Sequence, residues 1–553
     1  MPILFVLGAA LLGGLYYLFT PQLSLASPAI LMLLAFVFGA LAVLAYSLRK
    51  GNGKKGRAQA SVSATLYTVG FAGSALLLVL GIGLSLPMFR AEAYHALLGP
   101  EVDKDFKKSL PPIDLENAPL VSPDMAMRAA EKKLSEIPAL GSQTRVGHMQ
   151  KQLVNGHLVY VGFLQHRGFW AWNSQGTTPG YVRVSATNPS DVELVTQLDG
   201  KKLALRYLGS GFFGDDLERH LRFNGYATVG LTDYSSEIDD DGRPYAVVTV
   251  FNRRVGFEGK DAIGVAVVDV QTGAITYYPT ADVPKWVDRV QPASFVKEQV
   301  EDRLDYVHGW MNPSHLDKLT ISGDVDLVYG NDGRAYFFAG MVSTAKEGGL
   351  VGFMLIDSRT KEVTRYTLTG VTEPIAEAAA EGVFPEKHYV ATNALPFMVD
   401  GVAAYVMALK DGTGIARAYG IVSISDYQKV AVADTLANAS RQFESLLNRD
   451  RTQLDAAARP DEIRLQGKVT RIGSEVRAGT TSYSLMLSNE ATKLYTADVN
   501  RSEDLVVTKE GDVVEIRTLT GDQHVRPILE FKNLTMQPAV AASAASPASA
   551  ASQ

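Results

Sequence analysis

Three uninterrupted apolar stretches open the chain, at residues 3–19, 29–48 and 64–86, and beyond residue 90 the pattern changes to short alternating or β-branched runs punctuated by turn residues. A helix needs roughly 20 apolar residues to cross the hydrocarbon of a bilayer, so this opening predicts three transmembrane helices. The loop between the second and third stretches carries Arg49, Lys50, Lys54, Lys55 and Arg57. Such cations stay on the cytoplasmic side of a span, which puts everything after Arg90 outside. A cleaved leader is the competing reading, with Ser24-Leu25-Ala26 as its small-residue site, but no cation precedes the first apolar core. Ala9 with Gly13 and Ala10 with Gly14, each four apart, favour close helix approach. None of the three stretches holds His, Asp, Glu, Lys or Arg, so none offers a residue for haem ligation, proton relay or ion conduction, and together they read as an anchor.

Past the anchor, Asn155-Gly156, Asp241-Gly242, Asp332-Gly333 and Asp411-Gly412 mark hairpin turns. The runs around them repeat. Asp241-Gly242-Arg243-Pro244-Tyr245 parallels Asp332-Gly333-Arg334-Ala335-Tyr336, and Gly264, Asp269, Thr272, Ile275 and Tyr278 match Gly352, Asp357, Thr360, Val363 and Tyr366 at a constant offset of 88 residues. Looser copies lie upstream, at 157–164 and 180–195 with a turn at Asn188-Pro189-Ser190, and downstream, at 404–409 and 420–432. Amphipathic helical patterns at 122–137, opening on Ser-Pro-Asp, and at 292–310 precede two of the units. In the Asp-x-x-Thr turns the Asp and Thr side chains can bond turn backbone while Gly tolerates positive φ.

A helix followed by strands ending in Val267-Val268-Asp269-Val270-Gln271-Thr272-Gly273-Ala274-Ile275 resembles a PepSY-type module, and the resemblance extends over residues 120–435 as divergent repeats. It implies extracytoplasmic binding or peptidase regulation and brings no catalytic residues with it. Membrane-embedded reductase-like members of that family use intramembrane histidines, which the spans here lack.

From Arg464 onward, short strands at 467–472, 483–487, 493–499, 511–516 and 528–531 resemble an OB-type barrel. Binding of single strands needs a cationic groove and stacking aromatics. Residues 462–534 instead hold ten Lys or Arg against eleven Asp or Glu, with only Tyr483, Tyr495 and Phe531 aromatic. The whole chain, with a net charge of -6, has no general attraction for polyanions either. Absence of cysteine excludes disulfides, Cys-ligated zinc, iron–sulfur clusters and a thiol nucleophile.

Several constellations invite chemistry and give way to plainer readings. Gly209-Ser210-Gly211-Phe212-Phe213-Gly214 fits a dinucleotide loop, but Asp215 and Asp216 at the following helix start would repel a pyrophosphate and cap the helix instead. Glu237-Ile238-Asp239-Asp240-Asp241-Gly242 looks like the start of a calcium loop, yet the twelfth position is Val248, which leaves a solvated turn. His308 and His315 are seven apart, no histidine pair has helical i, i+4 spacing, and no Gly-x-Ser-x-Gly elbow occurs in the exported part. The most suggestive binding feature is His166, Arg167, Trp170 and Trp172. On a strand the two indoles would share one face, either as core or as interface anchors, and Trp286 and Trp310 pose the same choice. Exposed sheet edges offer a second route to partners, by strand addition.

These features predict an α+β protein: a three-helix transmembrane anchor at 1–90, a linker at 91–120, and four PepSY-like helix-plus-antiparallel-sheet repeats at 121–200, 201–285, 286–372 and 373–440 in an elongated array. A helical connector at 441–460, an OB-like β-barrel at 461–536 and a disordered Ala/Ser/Pro tail at 537–553 follow. The expected role is a non-enzymatic, membrane-anchored scaffold or partner-binding component of a bacterial cell-envelope assembly. It would be multi-pass in the inner membrane, with its large domain in the periplasm or outside the cell. Expected partners are other membrane or periplasmic proteins, in a homo- or hetero-oligomer, and the bilayer through residues 3–86; no nucleic acid, cofactor, metal or catalytic residue is assigned. The alternatives are a regulator or inhibitor of an extracytoplasmic peptidase, and an enzyme whose site is assembled from distant residues.

Overall fold

A computed structural model describes residues 2–51, 54–104, 121–188, 190–330, 333–344, 349–392, 394–412, 414–454, 462–477, 480–499, 502, 504–519 and 525–536. The turn residues Pro189 and Asp332, most of the expected linker, the end of the connector and the tail lie outside the described residues. The chain divides into two compact units, Met1–Phe443 and Glu444–Gln553.

The first unit begins with helices α1 (Pro2–Phe19), α2 (Pro28–Gly51), α3 (Lys54–Ser85) and α4 (Pro87–His95). Among the described residues two stretches are long and apolar enough to cross a membrane, Pro28–Leu48 and Ser61–Ser85, rather than the three expected. Within the first stretch the apolar run among the described residues is Gly8–Phe19, and α1 ends at Phe19, ahead of Thr20 with a φ of 41° and Pro21. Helices α2 and α3 pack closely through glycine. A Cβ on Gly39 would lie 3.3 Å from the Phe71 ring, and one on Gly70 would lie 2.9 Å from Phe38.

Four antiparallel sheets follow. The first comprises Thr144–Val146, Gln150–Val154, His157–His166, Tyr181–Ser185 and Val192–Val195; the second Gly230–Ile238, Pro244–Val255, Glu258–Asp269 and Ile275–Pro279. The third comprises Leu319–Ile321, Asp326–Tyr329, Ala335–Ser343, Leu350–Asp357 and Val363–Gly370, extended by Glu101–Lys104 in parallel; the fourth Val390–Ala391, Leu395–Val399, Val402–Lys410, Ala416–Ser423 and Val430–Ala433. Each buries a helical stripe. Ala126, Ala130 and Leu134 of Pro123–Ser135 pack on Tyr160, Leu164 and Val182; Val296, Val300 and Leu304 of Ala293–Asp305 pack on Phe337 and Met354. Leu217 and Leu221 serve the second sheet, and Ala376 and Ala380 the fourth. Ser122 caps the first of these helices by accepting the Met125 N–H at 3.4 Å.

The 88-residue period has a geometric counterpart. A Cβ on Gly264 would meet the Tyr278 carbonyl oxygen at 2.2 Å, and one on Gly352 the Tyr366 carbonyl at 2.3 Å, so both copies need bare backbone where neighbouring strands close up. Asp269 accepts the N–H groups of Gln271 and Thr272, as Asp357 accepts those of Arg359 and Thr360. The turn then passes through positive φ at Gly273 in one copy and at Lys361 in the other.

An elongated array would bring only sequence neighbours together, and the contacts correct that expectation. The first sheet shares a core with the second, through Val161 and Phe163 against Val248 and Val268. It also touches the third, where the Tyr329 hydroxyl donates to the Lys151 carbonyl at 3.0 Å. Its helix meets the fourth, where a Cβ on Gly414 would lie 3.2 Å from the Arg128 guanidinium. Side chains seeking buried backbone partners draw distant units together, which a repeat pattern cannot foretell.

The ends of α1, α2 and α3 away from residues 49–57 dock on this region. Phe257, at the tip of the hairpin joining Pro244–Val255 to Glu258–Asp269, sits against Ile30, Leu31 and Leu78, and its N–H donates to Ser85 Oγ at 2.7 Å. At the end of α1, Leu23 donates to the Ala227 carbonyl at 2.7 Å. All these contacts lie at the helix ends remote from the cationic loop at 49–57.

In the second unit, Glu462–Arg477, Thr480–Leu487, Leu494–Asp498, Val513–Leu519 and Val525–Asn533 form a closed five-stranded barrel. The third and fifth strands pair in parallel, and Leu485, Leu487, Tyr495, Val514, Ile516 and Phe531 fill the interior. The expected small barrel is thus present.

Gly264→Ala and Gly352→Ala should each lower stability by about 1–3 kcal/mol, because the methyl drives into a fixed carbonyl. Gly209→Ala, at a site open to solvent, should not. Thermal melts of the three variants check this.

Candidate functional site: a cleft bounded by three of the four sheets

The strand Gln150–Val154 alternates, so Gln150, Gln152 and Val154 are buried while Lys151 and Leu153 face the other way. Lys151 thereby enters a cleft of about 500 Å³. Its walls come from the first sheet and the start of its helix (Asp124, His148, Tyr160), from Arg289, from the third sheet (Asp326, Leu327) and from the fourth (Phe397, Met407, Lys410). Lys151 Nζ lies 5.9 Å from the ring centres of both Tyr160 and Tyr329. Among the described residues no carboxylate stands within ion-pair distance of it. Burial lowers its pKa, and the charge of Asp326 partly counters that. Arg289 is already engaged, donating to Asp233 at 3.1 Å. The cleft therefore offers an ammonium held by aromatic faces, with donors unspent, beside an apolar wall.

Under the cleft floor the first three sheets meet in a polar junction. The Gln152 amide donates to the carbonyls of Ile238 (2.6 Å) and Trp286 (3.0 Å) and accepts the Ile238 N–H. Asp288 accepts the Leu153 N–H at 2.6 Å, and burial pushes its carboxyl up to about 7. Burial also pushes Glu237 up to about 8, against the opposing bond from Ser235; its second oxygen has no partner. Ser235 also borders a second cavity of about 620 Å³ between the first two sheets, shared with Arg145, Ser210, Asp216 and Tyr234.

The residues singled out by the sequence do not form one surface. Phe169–Gln175 is a helix, entered through Gly168 at φ 86°, so Trp170 and Trp172 point apart instead of sharing a strand face. Trp170 is largely exposed, whereas the Trp172 indole donates to Asp215 at 3.2 Å. His166 is buried, its ring pKa lowered by desolvation, and its Nε2 has no partner. Arg167 donates to the Thr144 carbonyl at 2.9 Å. The glycine-rich segment joins this cluster, packing Phe212 and Phe213 edge-on against Phe169 and tilted against Trp172. Asp216 caps Leu217–Phe223 through the Arg219 N–H, while Asp215 pairs with Arg206 at 2.8 Å. Asp239 is occupied by the N–H groups of Asp241 and Arg243, and Glu237 turns inward away from that turn. Trp286 packs on Tyr245, and Trp310 is exposed.

Lys151, Asp288 and Asp326 escaped the sequence reading because the groups that give them meaning lie on other sheets. The one local sign is that the strand Gln150-Lys151-Gln152 puts polar residues at both core-facing and outward positions.

No protein-family model and no curated protein matches the chain. Among solved structures, a mutant Synechocystis apocarotenoid oxygenase is similar over 70% of this chain at 10% identity and a TM-score of 0.14. The chain spans 64% of that protein's length, and a superposition so poor carries no argument.

Because the native pKa of Glu237 is raised, the folded state holds its proton. The stability tied to that proton is full below the ordinary glutamate value of about 4.3 and is lost as pH rises through about 8. Glu237→Gln cannot ionise and should flatten the fall in melting temperature across this window. An unaltered slope would assign the titration elsewhere.

Proposed function

We propose that the protein is a non-enzymatic, membrane-anchored binding component of a bacterial envelope assembly, with its sheets outside the cytoplasm and its central cleft as the ligand seat. The anchor reading is supported by two helices of bilayer-crossing length and by the cationic loop at the far end from the sheets. The PepSY-like pattern of the repeats favours an extracytoplasmic binding role and makes a peptidase one candidate partner.

One observation carries the reading: Lys151 stands by two tyrosine rings, with no carboxylate at ion-pair distance among the described residues. The complementary ligand is a polypeptide segment with an acidic side chain or terminal carboxylate next to an apolar residue, the acid on Lys151 and the apolar group on Leu327, Phe397 and Met407. An enzymatic reading has one favouring feature. An amine of lowered pKa with a carboxyl in the same cleft is a form of nucleophile, with Lys151 attacking a carbonyl and Asp326 the acid whose charge acts on it.

Lys151→Met keeps the stem and removes the charge. Crosslinking and pull-down from gently solubilised membranes should recover the partner at least about tenfold less well, a change of about 1.4 kcal/mol. Equal recovery would remove the cleft from partner binding, and trapping of a carbonyl compound on Lys151 by borohydride would favour the enzyme. A periplasmic reporter fused after Phe89 should be active, and activity of only a cytoplasmic reporter there would reverse the topology.

A further inference from the structure

Two exposed apolar clusters flank the outer ends of the anchor helices. At the end of α1, Phe223 meets the rings of Tyr16 and Tyr17 at 5.8 and 5.9 Å. Arg219 ties the same place to the glycine-rich segment. Its guanidinium lies over the Tyr17 ring at 4.7 Å and donates to the carbonyls of Tyr17 (3.1 Å) and Phe213 (3.0 Å). From Phe213 the aromatic contacts run through Phe169 to Trp170, with ring centres 6.4 and 5.2 Å apart. Phe213 and Phe223 are more than half exposed, and Trp170 is 79% exposed.

The second cluster starts at the end of α3. Helix α4 follows after Leu86, with Phe89 67% exposed, and is pinned back by the Tyr94 hydroxyl, which donates to the Ser85 carbonyl at 2.6 Å. Tyr94 packs on Tyr306 at 6.1 Å. The segment after Tyr306 then presents Trp310 and Met311, the latter 76% exposed. Both clusters are thus reached within a few contacts of a point where an anchor helix ends.

We infer that these two clusters rest in the outer membrane–water interface, so that the sheet region lies down on the lipid surface on two apolar feet rather than projecting from it. The inference rests on the anchor reading above and adds the orientation of the region it carries. A side chain such as Trp, with an apolar body and one N–H donor, has its favourable position at headgroup depth, where the ring leaves water and the N–H keeps a partner. In water the same six side chains would leave apolar surface exposed in two patches. The helix ends that define the lipid boundary are continuous with both, which commits the occupant to the bilayer and not to a protein partner.

The test uses the full chain in nanodiscs whose lipids carry bromine in the upper part of their acyl chains, a contact quencher of indole fluorescence. Of the four tryptophans, Trp286 is packed on Tyr245 and Trp172 is bonded to Asp215, so quenching should come from Trp170 and Trp310. The unmodified protein should lose emission relative to nanodiscs of unbrominated lipid. The exposed-site double variant Trp170→Phe/Trp310→Phe should show no such loss. Adding Leu76→Trp, in the middle of α3, to that double variant should restore it. Quenching of the Leu76→Trp indole, with Trp170 and Trp310 unaffected, would overturn the two-footed contact while leaving the anchor intact; a partner protein that copurifies only when both indoles are present would then be their occupant. Absence of quenching at every position would remove the anchor and the contact together.

Discussion

Gln152 reaches out of the first sheet and satisfies both the N–H and the carbonyl of Ile238 in the second, together with the Trp286 carbonyl. The same device recurs around the molecule. Thr249 donates to the Val290 carbonyl, Ser358 to that of Asp288, and Tyr329 to that of Lys151. Each bond closes a backbone group that sheet pairing leaves open, and a buried group left open costs about 1–3 kcal/mol. The first three sheets are in this way joined by side chains serving the backbone of a neighbouring sheet or of the segment between Ile275–Pro279 and Ala293–Asp305. Apolar contacts such as Leu350 in the core of the fourth sheet add area to these seams, while the polar bonds set their register.

The cleft is a consequence of those seams. Tyr329 holds the first and third sheets at a fixed separation, and the space between them is closed by the fourth. Lys151 is carried into that space by strand alternation, with its backbone tied down and its amine free. Below it, burial raises the carboxyls of both Asp288 and Glu237, to about 7 and about 8.

Helices α2 and α3 and the sheets meet at the hairpin tip at Phe257. Its ring lies where a Cβ on Gly81 would come within 2.0 Å, so only glycine leaves room for it in α3. Gly256, just before it, has a φ of 58° and bends the chain toward Ser85. A helix end and a hairpin tip from distant parts of the sequence therefore share one interface, to which the described part of the linking segment adds the pairing of Glu101–Lys104 with the third sheet.

Much was legible in the residues alone. Continuous apolarity marked α2 and α3 as long helices with apolar residues on all sides, both holding a stretch long and apolar enough to cross a membrane. Turn pairs and alternation marked the hairpins, because strand side chains alternate with period two. The Asp-x-x-Thr offset of 88 residues marked equivalent turns, because those side chains bond their own local backbone. Phe169, Trp170 and Trp172 favour a strand by residue type, while Gly168 at positive φ and the packing of Phe212 and Phe213 accompany a helical turn at Phe169–Gln175. What the sequence by itself determined is thus whatever depends on near neighbours: periodicity, turn chemistry and apolar length. The closing of units onto one another, the cleft around Lys151 and the raised pKa values of Glu237 and Asp288 were decided only by tertiary structure, since each depends on the desolvation and hydrogen bonding of groups that meet in space from far apart along the chain.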